Sequence, residues 1–118
     1  MQTKSLFTSV LPRYSELSGC TAVVTGSSKG IGKGIAIRLA REGMKVVING
    51  RSQEAVEATA GELRELGVDV LPVVADVGKK RDVDRLFDET LEVFGGVDLL
   101  VNNAAALRRD HFFDVTVE

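Results

Sequence analysis

Three closely spaced glycines form the stretch of this chain best suited to chemistry. Gly26, Gly30 and Gly32 follow a short apolar run and precede a helical pattern of apolar residues. A strand, a glycine-rich turn and a helix N-terminus in this order direct backbone N–H groups at a phosphate. The stretch therefore predicts a phosphate site. Gly26 would allow a sharp turn after the strand, Gly30 would allow a pyrophosphate to approach the backbone, and Gly32 would allow the helix to pack closely.

The spacing of these glycines excludes two common phosphate motifs. A Walker P-loop counted from Gly26 would need the Gly-Lys-Ser/Thr segment to begin where the chain has Ile31. A G-x-G-x-x-G fingerprint counted from Gly30 would need a glycine where Ile35 stands. The pattern that remains is G-x-x-x-G-x-G, and taken alone it is equally compatible with ordinary turn glycines between a strand and a helix.

The composition indicates one globular domain rather than a nucleic-acid or membrane protein. Of the 118 residues, 44% are hydrophobic and 27% are charged, which is a balance typical of globular folds. The formal net charge is −2 and the 15 basic residues are scattered, so neither a nucleic acid nor a membrane surface is an expected partner. The single cysteine, Cys20, cannot form an internal disulfide and suits a reducing cytoplasm.

Apolar runs alternate with helical patterns and predict a parallel sheet. The predicted strands cover residues 21–24, 45–49, 70–74 and 99–101. The predicted helices cover residues 31–41, 53–66 and 81–94, with Ser52 as the N-cap of the second. Nearly continuous apolar strands that alternate with helices indicate a parallel sheet covered on both faces. The fold class is therefore α/β, the N-terminal half of a three-layer, Rossmann-like doubly wound sheet with strand order 3-2-1-4.

Helical spacing also predicts which side chains face the sheet. The expected inward residues are Ile31, Ile35 and Leu39 in the first helix, Val56, Ala60, Leu63 and Leu66 in the second, and Val83, Leu86, Phe87, Leu91 and Phe94 in the third. Right-handed crossovers place the first two helices on one face and the third alone on the other. That face and the edge of the fourth strand are then expected to be open, which predicts self-association as a homo-oligomer.

The residues before the sheet predict little structure of their own. Leu6, Phe7, Val10 and Leu11 recur at helical spacing, so residues 1–17 are interpreted as a loosely docked extension with one amphipathic turn. A second possibility is that these side chains fold back as a partial cover for the open apolar face.

Three motifs in order resemble the short-chain dehydrogenase/reductase family. They are the glycine stretch from Thr25 to Gly32, the pair Asp76-Val77 and the triplet Asn102-Asn103-Ala104, each just after a predicted strand. The resemblance covers roughly residues 18–118 and implies an NAD(P)-binding Rossmann domain. The residues expected to bind the cofactor are Gly26, Ser27, Ser28, Lys29, Gly30, Ile31, Gly32, Asn49, Arg51, Ser52, Asp76, Val77, Asn103 and Ala104.

Some of these assignments rest on the family alone. The resemblance implies that Asp76 and Val77 lie along the adenine ring and that Asn103 and Ala104 lie against the cofactor ribose. From its residue type, Asp76 could equally be a helix cap or a turn residue, and Asn103 could satisfy backbone groups. The family motif usually ends in glycine, where this chain has Ala105.

The end of the second strand bears on the choice of cofactor. An acid at this place in the general fold binds the adenosine ribose and selects NAD, but the chain reads Asn49-Gly50-Arg51-Ser52. Arg51 can instead hold a 2′-phosphate, with Lys29 as a second positive charge. The chain is therefore expected to prefer NADP(H) over NAD(H), although Arg51 is also compatible with a solvated surface charge.

No catalytic group is expected within these 118 residues. The catalytic Asn, Ser, Tyr and Lys of the family fall beyond Glu118, and the only tyrosine, Tyr14, precedes the fold. No metal site is expected, and His111 is interpreted as a surface loop residue. The favoured function is the NADP(H)-binding part of an oxidoreductase that interconverts a small-molecule alcohol and a ketone or aldehyde by hydride transfer. The alternative is a non-catalytic nucleotide-binding or regulatory module.

Overall fold

A computed structural model describes residues 3–104, and its strands and helices alternate as the sequence predicts. The strands are β1 (Thr21–Val24), β2 (Lys45–Gly50), β3 (Val70–Val74) and β4 (Leu99–Val101). The helices are α1 (Thr3–Thr8), α2 (Gly30–Arg41), α3 (Gln53–Glu65) and α4 (Lys80–Phe94), with a short 3-10 turn at Ser15–Leu17. The predicted bounds are therefore confirmed or shifted by a single residue, except that α1 was expected only as a turn.

The described strands form one parallel sheet in the order β3-β2-β1-β4, which confirms the predicted fold class. In register, Val23 of β1 lies beside Val47 of β2 on one side and Leu100 of β4 on the other. Because all four strands are parallel, their carboxyl ends meet at one edge of the sheet. The order reverses between β2 and β4 at β1, and this switch point is where open α/β sheets bind ligands.

Two apolar layers cover the sheet, and alternate strand residues contribute to each. Val24, Val46 and Ile48 pack in the cluster that contains the buried side chains of α2 and α3. Val23 and Val47 face the other layer, where they pack with Leu86 of α4. The predicted placement of α2 and α3 on one face and α4 on the other is therefore confirmed.

The buried face of α2 differs from the predicted one. Ile31 is 79% exposed, whereas the fully buried side of the helix consists of Gly32, Ala36, Ile37 and Ala40. Small residues four positions apart allow the helix axis to approach the sheet closely, and the larger Ile35 and Leu39 then pack only at its margin. A prediction from apolar periodicity gives the most weight to large side chains. It therefore selected Ile31, Ile35 and Leu39 instead of the small residues beside them.

The layer formed by α4 leaves apolar side chains open to solvent. Leu91, predicted to face inward, is half exposed, as are Val93 and Leu100. Leu100 is 49% exposed although its register partner Val23 is fully buried. Within residues 3–104, β4 pairs only with β1. The expected open face and strand edge are therefore present in the described part of the chain.

The N-terminal segment packs on α2 and α3, and the expectation of a loose extension is wrong. Leu6 and Phe7 are partly buried against the cluster between these helices and the sheet. Arg41 contacts the segment at two residues. Its Nε donates to the carbonyl oxygen of Val10 at 2.6 Å, and its guanidinium carbon lies 5.0 Å from the centre of the Phe7 ring. The segment therefore covers the face opposite to the open α4 layer.

A buried carboxylate at the end of α2 holds the same segment. Glu42 accepts hydrogen bonds from the backbone N–H groups of Arg13 at 2.8 Å and Tyr14 at 2.6 Å, and it pairs with Arg38. Burial alone would raise the pKa of Glu42, but the Tyr14 N–H, the Arg38 side chain and the Arg13 N–H together lower it below the usual 4.5. The charged form of Glu42 is therefore the one that the fold stabilises.

We expect Glu42→Gln to lower the free energy of unfolding at neutral pH. Because the pKa in the folded state lies below the unfolded value, the contribution is complete above pH 4.5 and is lost as pH falls through the folded pKa. The difference between wild type and variant should therefore shrink below that pH in urea unfolding followed by circular dichroism. Glu65→Gln, at an exposed site without an ion pair among residues 3–104, is the matched control. A difference that stays constant from pH 7 to about 3.5 would contradict this role.

Candidate functional site

A cavity of about 520 Å³ lies at the carboxyl edge of the sheet, at the switch point beside β1. Several predicted site residues line it: Gly26, Ser28, Lys29, Asn49, Arg51, Asp76, Val77, Asn103 and Ala104. Four lining residues were absent from the prediction: Gly50, Ala75, Gly78 and Asn102. Each of the four is adjacent to a predicted one, so the cavity includes further residues of the same turns. Gly30 and Gly32 do not line it.

The three glycines have distinct structural requirements. Gly26 and Gly30 have φ values of +62° and +63°, which side chains rarely tolerate. A Cβ at Gly26 would also lie 3.0 Å from the Cα of Ala104, whereas one at Gly30 would meet nothing within 4 Å. A Cβ at Gly32 would collide with the carbonyl oxygen of Gly26 and the amide nitrogen of Asn103. Atoms of Ala104 therefore pack closely against Gly26, and atoms of Gly26 and Asn103 pack against Gly32. Gly30 is open to solvent.

Ser27 anchors the glycine turn to β2. Its side chain is fully buried, and its hydroxyl accepts the N–H of Asn49 at 2.9 Å. Its own N–H donates to the carbonyl oxygen of Asn49 at 2.8 Å. Ser27 does not line the cavity, and its polar groups are bonded to the strand.

A threonine on α3 supports the same turn and was missed by the sequence analysis. The hydroxyl of Thr59 is buried and donates to the carbonyl oxygen of Ser28 at 2.7 Å. A polar residue on the predicted inward face of a helix, beside Val56, Ala60 and Leu63, was the available signal. Such a hydroxyl needs a partner when it is buried, and here the glycine turn provides it.

Two positive charges flank the turn after β2. Lys29 and Arg51 both line the cavity and are exposed. Neither forms an ion pair with another described residue. Ser52 caps α3 as predicted, because its hydroxyl accepts the N–H of Ala55 at 3.3 Å. Ser52 itself does not line the cavity, and neither does the exposed Ile31.

The end of β2 is crowded at Gly50. A Cβ at Gly50 would lie 2.6 Å from the hydroxyl oxygen of Ser28 and 3.1 Å from a methyl carbon of Val56. A carboxylate at this position would therefore require Ser28 to move.

Asp76 forms a turn at the opposite side of the cavity from the glycines. Its N–H donates to a carboxylate oxygen of Asp82 at 2.7 Å, and its own carboxylate accepts the N–H of Gly78 at 2.9 Å. The interpretation of Asp76 as a turn residue is thus correct. Asp76 and Val77 also line the cavity, so this role does not remove them from the candidate site.

The turn after β4 closes the cavity and is fixed by β1. The hydroxyl of Thr25 accepts the N–H groups of Asn103 and Ala104, both at 3.0 Å. The side-chain amide of Asn103 donates to the carbonyl oxygen of Gly26 at 3.2 Å. Asn103 therefore satisfies a backbone group, as its residue type allowed, and holds Ala104 at the cavity. Ala105 and His111 lie outside the described residues.

The remaining sequence-based expectations concern groups away from the cavity. Tyr14 is bound through its N–H to Glu42, at the end of α2 distant from the glycine turn. Over residues 3–104, His, Cys, Asp and Glu side chains form no group of three that could hold a metal ion. The helices of this same part are too short or too polar to cross a membrane.

Comparisons with known proteins match both the sequence and the fold. A family model described as short chain dehydrogenase matches residues 20–118. The chain is 50% identical over 92 residues to 3beta-hydroxysteroid dehydrogenase 1 of Eggerthella lenta, which covers 77% of this chain and 35% of that protein. It is 38% identical over 105 residues to hydroxysteroid dehydrogenase-like protein 2 of Xenopus tropicalis. This alignment covers 83% of this chain and 25% of that protein.

Solved structures give the same result. L-sorbose reductase from Gluconobacter frateurii, complexed with NADPH and L-sorbose, superposes with a TM-score of 0.77 at 39% identity, covering 84% of this chain and 38% of that one. A short chain dehydrogenase/reductase from Burkholderia phymatum in complex with NAD superposes with a TM-score of 0.70 at 39% identity. This superposition covers 72% of this chain and 30% of that one. The chain spans well under half the length of each of these proteins.

We expect Gly30→Val to abolish binding of a dinucleotide at this cavity. The open side of the turn at Gly30 is where a pyrophosphate would approach, and valine there is strained by the positive φ and fills that space. Gly34→Val is the matched control, since Gly34 lies on the same helix with open space and without a positive φ. Isothermal titration of folded variants with NADPH makes the comparison. Equal affinity for both variants would refute a binding site at the glycine turn.

Proposed function

Because the chain belongs to the short-chain dehydrogenase family, we propose that it forms the NADP(H)-binding part of an oxidoreductase. The reaction we propose for the intact protein is the interconversion of a small-molecule alcohol and a ketone or aldehyde by hydride transfer. The observation that carries this proposal is the cavity at the switch point of the sheet, bounded by the glycine turn, the Asp76 turn and the Asn103 turn.

The groups around the cavity support a dinucleotide as its ligand. The start of α2 leaves its first N–H groups without partners inside the helix, and these would bind the pyrophosphate beside the open Gly30. We assign the adenine to Asp76 and Val77 and the cofactor ribose to Asn103 and Ala104. The bound cofactor would supply or accept the hydride, and the described residues would hold it in place.

Two observations at the cavity support NADP(H) over NAD(H). Lys29 and Arg51 present two positive charges at the cavity, and both are free of ion pairs within residues 3–104. Residues 49–52 contain no acid to bind the ribose hydroxyls of NAD, and an acid at Gly50 would require Ser28 to move. Similar structures contain either cofactor, so the preference rests on these residues.

We expect Arg51→Asp to weaken NADPH binding and leave NADH binding nearly unchanged. A lost charge-assisted contact costs roughly 1.5–3 kcal/mol, which is about tenfold or more in affinity. Arg64→Asp, with the same change of charge on the exposed end of α3, is the control. Fluorescence titration with both cofactors gives the two ratios. If Arg51→Asp and Arg64→Asp reduce NADPH affinity equally, the effect is one of net charge and Arg51 does not bind the 2′-phosphate.

We also expect the 118-residue chain to bind NADPH without oxidising it. General acid catalysis needs a proton donor near the carbonyl oxygen, and the only tyrosine of the chain is bound at the far end of α2. Absorbance at the NADPH band, followed with a panel of ketones and aldehydes, measures the rate. Turnover above background by a homogeneous sample would contradict this assignment of roles.

A native protein of longer intact mass, active where the chain is not, would favour the oxidoreductase over a regulatory module.

We further propose self-association and a cytoplasmic setting for the intact protein. The exposed Leu91, Val93 and Leu100 form an apolar surface beside the open edge of β4, which supports pairing with a second copy. The single cysteine, Cys20, is free and partly buried, which agrees with a reducing compartment.

A further inference from the structure

The side chain of Asn49 is directed into the protein although the residue lines the cavity. It is 1% exposed, and its amide makes three hydrogen bonds with the backbone. Its oxygen accepts the N–H of Gly26 at 3.1 Å, and its nitrogen donates to the carbonyl oxygens of Val73 at 3.1 Å and Ala75 at 3.2 Å. Both amide hydrogens are thereby used, so the side chain has no donor left for a ligand.

These bonds connect two strands that are not neighbours in the sheet. Gly26 is the second residue after β1, Ala75 directly follows β3, and β2 with Asn49 lies between them. Backbone bonds tie each of these segments to β2, since the N–H of Ser27 donates to the carbonyl oxygen of Asn49 and the N–H of Ala75 donates to that of Gly50. The side-chain amide of Asn49 adds a connection across β2, with an acceptor toward Gly26 and two donors toward Val73 and Ala75. An aspartate has no donor for the two carbonyl oxygens and a leucine has neither group, so the position specifically suits an amide.

We propose that Asn49 is a positioning residue that sets the separation between the glycine turn and the Asp76 turn. This inference rests on the proposed cofactor site, because those two turns bound opposite sides of it. Asn49 was expected from the sequence to bind the cofactor, whereas its side chain acts through Gly26 and through Ala75, the residue before Asp76. Its role is to hold the surfaces for pyrophosphate and adenine at the distance that one ligand can bridge.

A double-mutant cycle separates positioning from a general loss of stability. Asn49→Leu removes all three hydrogen bonds and keeps the branched outline of the side chain, and Asn49→Ser is the second, smaller variant if leucine does not fold. Thr90→Val is the control, because Thr90 is fully buried but its hydroxyl bonds only within α4. NADPH affinity is measured for each variant with and without Asp76→Ala, together with the free energy of unfolding.

We expect Asn49→Leu to weaken NADPH binding roughly tenfold and to remove most of the effect of Asp76→Ala, since residues that act together are not additive. In the Thr90→Val background the effect of Asp76→Ala should be unchanged. If the effects of Asn49→Leu and Asp76→Ala multiply, or if Asn49→Leu binds as tightly as wild type, Asn49 does not position the Asp76 turn.

Amide exchange without ligand tests the inference independently of the proposed function. We expect Asn49→Leu to accelerate exchange at both Gly26 and Asp76, and Thr90→Val to accelerate neither. Acceleration at Gly26 alone would overturn the connection between the turns. If wild type fails to bind NADPH while both amides respond, the proposed cofactor site is wrong but the coupling of the two turns stands.

Discussion

The close approach of α2 to the turn after β1 is the constraint on which the cavity depends. Any side chain at Gly32 would collide with the carbonyl oxygen of Gly26 and with Asn103. The same contact places the turns after β1 and β4 against each other, because Asn103 bonds to Gly26. The first turn of α2 is thereby fixed at the carboxyl edge of the sheet, directly after the cavity-lining residue Lys29, and a helix N-terminus favours an anion.

Polar residues around the cavity divide into those that build it and those left free to bind. Ser27, Asn49 and Thr59 are buried, and their side chains bond to the backbone of the surrounding turns. Buried polar groups need such partners, and together they make the turns rigid. Lys29 and Arg51 are exposed and free of ion pairs with other described residues. The arrangement thus leaves positive charge and backbone donors facing a cavity suited to an anionic ligand.

The sequence predicted what depends on local pattern and missed what depends on contacts between distant segments. Strand order and element bounds followed from apolar runs, glycines and the handedness of crossovers. The prediction of the buried face of α2 was wrong, because small residues such as Ala36 and Ala40 contribute little to an apolar pattern. The docking of residues 3–17 depends on Glu42 and Arg41, whose partners lie about 30 residues away, and no periodicity reports such bonds. Asn49 was placed correctly at the cavity, but its burial could only be seen in three dimensions.

The most direct test of the cofactor site is a titration of the isotopically labelled chain with NADP followed by amide chemical shifts. We expect shift changes to cluster at the glycine turn, the strand end at Gly50 and Arg51, and the turns at Asp76 and Asn103. Amides on α1 and at the far end of α2 should stay unchanged. Absence of any saturable change, or changes confined to residues away from the cavity, would contradict the assignment of this edge of the sheet as a dinucleotide site.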